Sequence, residues 1–293
     1  MDIRRLLKQF FPSKIWKALS MLKYKLTFPK RLLNRFEILY KIPKYQKKAL
    51  EKLKGKKKVR CVFLVLFNNI WKYGKLYQIM LKDDRFEPII LVCPIVNYGR
   101  ENMIKRMDEC FSYFKEKGYN PIKSYNEDRD TYVDLIRDLN PDIIFYTNPY
   151  KGLINDRYYI DKFPQKLTVY VPYCMLVNKE DNAFYNLDFH NRLWRYYTIS
   201  DLHKQYSQRL ARNKGRNVFV TGYPGIEYLI DKDYKPSADC WKIKSDKFKK
   251  IIWAPHHTLE AVGNVNFSTF LQYCDFMLEI MKKYKDQVQW VFK

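Results

Sequence analysis

Lys249-Lys250-Ile251-Ile252-Trp253-Ala254-Pro255-His256-His257-Thr258 reads as an apolar strand that stops at a proline and delivers two adjacent histidines into a loop. The chain has four histidines, and half of them are here. Imidazole titrates close to neutral pH, so a histidine at a strand end can hold a phosphate oxygen or move a proton. Neighbouring side chains in an extended loop point apart. One of His256 and His257 therefore faces a given ligand, with Thr258 beside it. A zinc site needs further ligands at suitable spacing, and no His-x-x-x-His or paired cysteines lie nearby. The expectation is a catalytic or phosphate-binding role for His256 or His257, with no metal and no cofactor. The blander alternative is a histidine satisfied in a cap or a core.

Two further strand ends carry polar loops. Asn68 and Asn69 follow the apolar run 59–67. Tyr173 opens a loop that runs through Asn178 and Lys179 to Asn182 after the run 167–171. In open α/β sheets, ligands bind beyond the carboxyl ends of the strands. Tyr173, Asn178, Lys179, Asn68, Asn69 and Thr258 are therefore the candidate substrate-binding residues. Asn68-Asn69 can also cap the helix that follows. His203 falls on the surface of an expected helix and reads as structural, as does His190. Cys174 has no obvious catalytic partner, and Gly222 suits a tight turn.

The elements that must position these loops alternate. Strand-like runs fall at 59–67, 86–93, 122–125, 142–146, 167–171, 196–200 and 217–221. Helical patterns separate them, at about 100–117, 129–139 and 201–213 among others. The 129–139 helix would carry Tyr132, Leu135, Ile136 and Leu139 on one face. The run 59–67 is nearly continuous in apolar residues, as in a strand buried on both faces of a parallel sheet. Alternation at this spacing predicts a doubly wound α/β domain. Residues 232–248 are polar and irregular and suit a linker. A helix over 267–284 and a strand over 288–292 complete a β-loop-α-β unit at 249–293. Such a unit leaves an apolar face uncovered, so it reads as the start of a second, incomplete domain.

Charge is unevenly spread. The net charge is +24, yet residues 1–60 hold 20 Lys/Arg against 3 Asp/Glu while the other 233 residues hold 35 against 28. Residues 1–58 read as basic amphipathic helices punctuated by Pro12, Pro29 and Pro43. Lysines set against Trp, Phe and Leu suit the headgroup layer of an anionic membrane. A hairpin packed on the body and a nucleic-acid arm are the alternatives. The second is weakened because no helix-turn-helix, zinc-finger or RRM-type pattern accompanies the charge. No apolar run reaches the roughly 18 residues that span a bilayer. The six cysteines are scattered, which fits a reducing setting better than a disulfide framework. Neither a G-x-G-x-x-G nor a Walker-type phosphate loop occurs.

Thr221-Gly222-Tyr223-Pro224, a polar linker, and then Trp253-Ala254-Pro255-His256-His257 resemble the CDP-glycerol glycerophosphotransferase family of teichoic-acid and capsule polymerases. The resemblance covers about 59–293. It implies a GT-B-like fold: basic amphipathic helices (1–58), a complete Rossmann-like domain (59–231), a linker (232–248) and the first β-loop-α-β unit of a nucleotide-binding domain (249–293). It also implies transfer of glycerol phosphate from CDP-glycerol to a lipid-linked cell-wall or capsule polymer, peripherally, on the cytoplasmic face of the membrane. Two departures stand out. The family's first domain carries a His-Gly-Thr-Pro motif, and the matching place here reads Val171-Pro172-Tyr173-Cys174. The family's next landmark, a His-Pro pair, would fall beyond Lys293, so this stretch alone is expected to be inactive. Two alternatives stay open: a GT-B glycosyltransferase that uses a nucleotide sugar in capsule or surface-polysaccharide synthesis, and a non-catalytic membrane- or polyanion-binding protein. The expected partners are the nucleotide-activated donor, the lipid-linked acceptor and an anionic membrane surface, without nucleic acid.

Overall fold

The computed structural model describes residues 28–97, 99–177, 182–233, 240–256, 258–259 and 267–292. The chain forms two compact units, Met1–Glu227 and Tyr228–Lys293.

The first unit is built on a seven-stranded parallel sheet. Its strands are β1 (Val59–Val65), β2 (Phe86–Val92), β3 (Pro121–Lys123), β4 (Ile143–Tyr146), β5 (Leu167–Tyr170), β6 (Arg195–Thr198) and β7 (Val218–Val220). Their order across the sheet is β3-β2-β1-β4-β5-β6-β7. This is a Rossmann-like, doubly wound α/β arrangement, and the order reverses between β1 and β4. Strand β1 lies in the interior of the sheet and is buried on both faces. Val62, Leu64 and Leu66 enter one core with Tyr146, Tyr170 and Phe189. Cys61, Phe63 and Val65 enter the other with Tyr73, Tyr77 and Phe145. Alternation along a strand sends successive side chains to opposite faces, so a continuous apolar run is what a central strand needs. Phe63 stacks on Phe145 of the neighbouring strand at 4.4 Å between ring centres. The longer connecting helices are α2 (Gly74–Leu81), α3 (Arg100–Glu116) and α4 (Asp201–Leu210).

Three local expectations are corrected. The helix expected over 129–139 is absent. Thr131–Tyr132 instead pairs with Tyr125–Asn126 as a short antiparallel ribbon, followed by a π-helical turn, Leu135–Leu139. Tyr132 packs on the Tyr125 ring at 4.6 Å and beneath the Arg157 guanidinium at 4.1 Å, which holds it in the ribbon. Asp134 accepts from the Ile136 and Arg137 amides, so the turn starts only after it. Asn68 and Asn69 do not cap α2. They form a 3-10 turn, Asn68–Ile70, and α2 starts at Gly74 after Tyr73. His203 is buried rather than on the surface.

A helix over residues 28–53, α1, packs on this unit and runs through both Pro29 and Pro43. Pro43 is accommodated by a π turn, Glu37–Lys41, in which the Ile42 N–H donates to the Glu37 carbonyl. That shift leaves the Ile38 carbonyl without its usual donor, and the proline leaves the Leu39 carbonyl without one. Arg216 supplies both, at 2.6 Å to Ile38 and 3.1 Å to Leu39. Ile38 and Ile42 are buried on the same side. Glu37 pairs with Arg192, and Asn34 bonds Asp188 and Arg212. One face of residues 28–53 thus packs on protein. Residues 1–27, expected to continue the amphipathic pattern, lie outside the described residues.

In the second unit, β8 (Lys249–Trp253) pairs in parallel with β9 (Val288–Phe292). Helix α5 (Phe270–Lys283) connects them. Trp253, Phe270 and Phe292 form a ring cluster with centres 5.3–5.5 Å apart. Gln289 imitates a further strand by exchanging both amide hydrogen bonds with the Ile243 backbone. Ile252, Leu271, Phe276 and Phe292 remain exposed.

Candidate functional site

The carboxyl ends of β1, β4 and β5 converge where the strand order reverses. Tyr73, just before α2, ties them together. Its hydroxyl donates to the Tyr146 carbonyl at 2.9 Å and accepts from the Val171 amide at 3.0 Å. A single phenol thereby fixes the chain after β1 against the ends of β4 and β5. Burial pushes its pKa far up, so it remains a neutral donor.

Lys72 lies next to it and is only 3% exposed. Its Nζ donates to the Thr147 carbonyl at 3.2 Å, and it stands 5.0 Å from the Tyr73 ring centre and 5.8 Å from that of Tyr170. Among the described residues no carboxylate pairs with it. Removal from water disfavours the charged amine, and burial lowers its pKa to about 7, partly offset by the neighbouring Cys174. Lys72 is thus poised to change charge near neutral pH. An arriving anion would draw a proton onto it.

Tyr173 shares this neighbourhood. Its hydroxyl lies 3.3 Å from that of Tyr150, its amide donates to the Tyr170 hydroxyl at 3.3 Å, and its carbonyl accepts from the Tyr223 hydroxyl at 3.3 Å. Burial raises the pKa of Tyr173, Tyr170 and Tyr223, and also that of the Cys174 thiol, so all four stay protonated. The Tyr73 and Tyr223 protons are already given to carbonyls, which leaves the Tyr150–Tyr173 pair as the phenolic donors beside one titrating amine. Such a set suits the oxygens of a phosphate or a hydroxylated ligand.

The loop that carries Tyr173 is held from below. The His203 Nε2–H donates to the Leu176 carbonyl at 3.1 Å, while Nδ1 lies 2.7 Å from the Ser200 hydroxyl. A carbonyl can only accept, so Nε2 carries the proton and Nδ1 accepts. Ser200 spends its hydroxyl on this histidine and not on a backbone cap of α4. His190 is a core residue, stacked on Tyr196 at 5.2 Å, and burial depresses its pKa to about 3.

Of the expected substrate-binding residues, Tyr173 stands in this crevice. Asn68 is half-buried and Asn69 exposed in the turn after β1, at the same edge of the sheet. Asn178 and Lys179 lie outside the described residues, as does His257. His256 and Thr258 belong to the second unit and bond each other. His256 Nδ1 lies 2.8 Å from the Thr258 hydroxyl and accepts from the Thr258 amide at 3.3 Å. The same hydroxyl accepts from the Phe267 amide at 3.0 Å. An amide can only donate, so these bonds leave the imidazole proton on Nε2.

Lys72, Tyr150 and Tyr223 were not expected from the sequence. The signal for Lys72 was its place between Trp71 and Tyr73, at the junction of a strand end and a helix. Among the described residues, no group of three or more His, Cys, Asp or Glu side chains is placed to hold a metal ion. No helix among them is long and apolar enough to cross a membrane.

No family model matches the sequence, and no curated protein matches it. Among solved structures, a crystal structure of UDP-N-acetylglucosamine 2-epimerase aligns with a TM-score of 0.46 at 14% identity. The alignment covers 80% of this chain and 63% of that one. The assignment as a Rossmann-like α/β fold rests on the strand order itself.

Proposed function

We propose that this chain belongs to a transferase that works at a membrane surface on a nucleotide-activated, phosphate-bearing donor. The crevice at the strand-order reversal carries the reading. There a buried, titrating amine, Lys72, stands among neutral phenols at the position where doubly wound folds hold phosphates. A second support is the outer face of α1. Phe28, Leu32, Phe36 and Tyr40 recur every four residues and are 50%, 58%, 50% and 64% exposed. Residues four apart share a helix face, so these form one apolar ridge. An apolar ridge on a basic helix is the arrangement of an interfacial helix.

The similarity of residues 221–224 and 253–257 to glycerophosphotransferases favours CDP-glycerol as donor and a lipid-linked polymer as acceptor. In that reaction an acceptor hydroxyl oxygen attacks the β-phosphorus. The bond from that phosphorus to the CMP oxygen breaks, and CMP leaves with the electron pair. The hydroxyl proton passes to a base. Such transfers depend on positioning and charge stabilisation. In this reading Lys72 takes up a proton as the anionic donor arrives, and the His256 imidazole is a separate candidate phosphate ligand. One observation favours a second reading, a glycosyltransferase with a nucleotide sugar: Tyr173 and Cys174 stand where the glycerophosphotransferases carry a histidine.

The test is to incubate the purified protein with membranes and CDP-glycerol, following CMP. CMP release that falls in Lys72→Met and His256→Ala supports the first reading. Release of UDP or GDP from sugar donors, with no CMP, supports the second. A protein that neither releases nucleotide from any donor nor binds one calorimetrically rejects both.

A further inference from the structure

Residues 30–35 of α1 and the end of α4 enclose an open groove of about 750 Å³. Six cations line it: Lys30, Arg31, Arg35, Arg209, Arg212 and Lys214. Asp188 is the acid in its wall, and its oxygens are already engaged. Oδ1 accepts from Asn34 at 2.9 Å and from Arg212 at 3.2 Å, and Oδ2 accepts from Arg192. Among the described residues, no carboxylate pairs with Lys30, Arg35 or Lys214. A concave surface lined by one sign of charge focuses its field and concentrates counter-ions. Guanidinium groups match the oxygens of phosphate in paired geometry.

The groove also has a fixed relation to the ridge on α1. Asn34, Ile38 and Ile42 face the protein, and Phe28, Leu32 and Phe36 face away. Lys30 and Arg35 fall between these faces, whereas Arg31 shares the face of Asn34 and Ile38. A helix with its side chains is about 10 Å across, and an interfacial helix sinks its apolar face about 5–10 Å. The flanking cations then lie at the depth of lipid phosphates.

We propose that this groove is a binding site for phosphate monoesters and diphosphates, distinct from the crevice at the strand ends. It takes the phosphate of a lipid headgroup or of a soluble phosphate ester. Its volume fits a single small headgroup. The site does not depend on the transferase reading, and its test does not use turnover.

The experiment uses the full chain in two arms. One titrates inorganic pyrophosphate calorimetrically. The other measures sedimentation with phosphatidylcholine vesicles doped with phosphatidic acid. Each is run on the wild type, on Arg35→Glu/Lys214→Glu, and on Lys82→Glu/Lys117→Glu, which makes the same charge change at exposed positions outside the groove. The expected result is at least an about tenfold loss of binding in the groove pair, and less than about twofold in the control pair. Sensitivity in both arms identifies a general phosphate site. Sensitivity in the vesicle arm alone identifies a headgroup site. Sensitivity in the pyrophosphate arm alone identifies a soluble-ester site and counts against membrane attachment through this face. Equal losses in the two variants, or no binding in either arm, overturn the proposal. If the reversed pair melts early, Arg35→Gln/Lys214→Gln carries the same comparison.

Discussion

Lys72 Nζ donates to the carbonyl of Thr147 from almost complete burial, beside the point where the order of the main sheet reverses. No carboxylate among the described residues balances it, and that sets its behaviour with pH.

The unfolded chain holds this proton until about pH 10.5, whereas the fold sheds it near pH 7. Between those values the unfolded state binds more protons, so stability rises with pH. Below pH 7 the buried charge exerts its full cost, at about 1.4 kcal/mol for every tenfold by which folding weakens the hold on the proton. Lys72→Met should therefore stabilise the protein at pH 6. The advantage should shrink toward pH 10 and reverse as the lost bond to Thr147 dominates. Denaturant melts at the two pH values check this, and a difference that does not change with pH rejects it.

Arg216 and Pro43 are predicted to be coupled. Arg216→Ala leaves two helix carbonyls without donors and should cost about 1–3 kcal/mol. Adding Pro43→Ala restores an N–H that can reach Leu39 and should recover part of the loss. A thermal double-mutant cycle measures the coupling. Strict additivity would show that the guanidinium does not compensate for the proline.

The ridge on α1 contributes little to the fold, because its side chains face solvent. Leu32→Ser/Phe36→Ser should leave the melting temperature within a few degrees. The same change should weaken binding to anionic vesicles by at least about tenfold, as expected for withdrawing two large apolar groups from an interface. Unchanged vesicle binding would remove α1 as the contact surface.

His203 holds the Tyr173 loop through the Leu176 carbonyl. His203→Ala should raise amide exchange across residues 174–177 well above that in the central strands. Loosening that loop also admits water to Lys72, so its pKa should move back up toward that of an exposed lysine. Heteronuclear NMR of the Lys72 amine reads this change, and an unmoved signal argues that the loop does not seal the crevice.

The strands were legible because their residues make a two-faced burial pattern that local turns do not imitate. The run 59–67 could only be central, and strand ends then located the edge where ligands bind. Tyr173 was found in this way. Lys72 was not, because a lysine in a lysine-rich chain reads as solvated; its burial depends on Tyr73 and Tyr170, which converge only in three dimensions. Residues 129–139 misled because the spacing of Tyr132, Leu135 and Leu139 is helical, whereas Tyr132 is claimed by Tyr125 and Arg157 from outside the segment. His203 misled for a similar reason: its partner Leu176 lies far away in the chain.

The docking of α1 also bears on how the protein is made. Its bonds reach Asp188, Arg192 and Arg216 across separations of 154, 155 and 178 residues. At about 5–20 residues per second, a ribosome needs roughly ten to forty seconds to supply those partners once α1 has been synthesised. For that interval the helix has no fold to dock on. Its apolar ridge and flanking cations are already formed into one amphipathic surface whenever the segment turns helical. If α1 binds lipid as proposed, a nascent chain can meet that surface before its sheet exists, and the arrival of Arg216 then clamps the body onto a helix that is already in place.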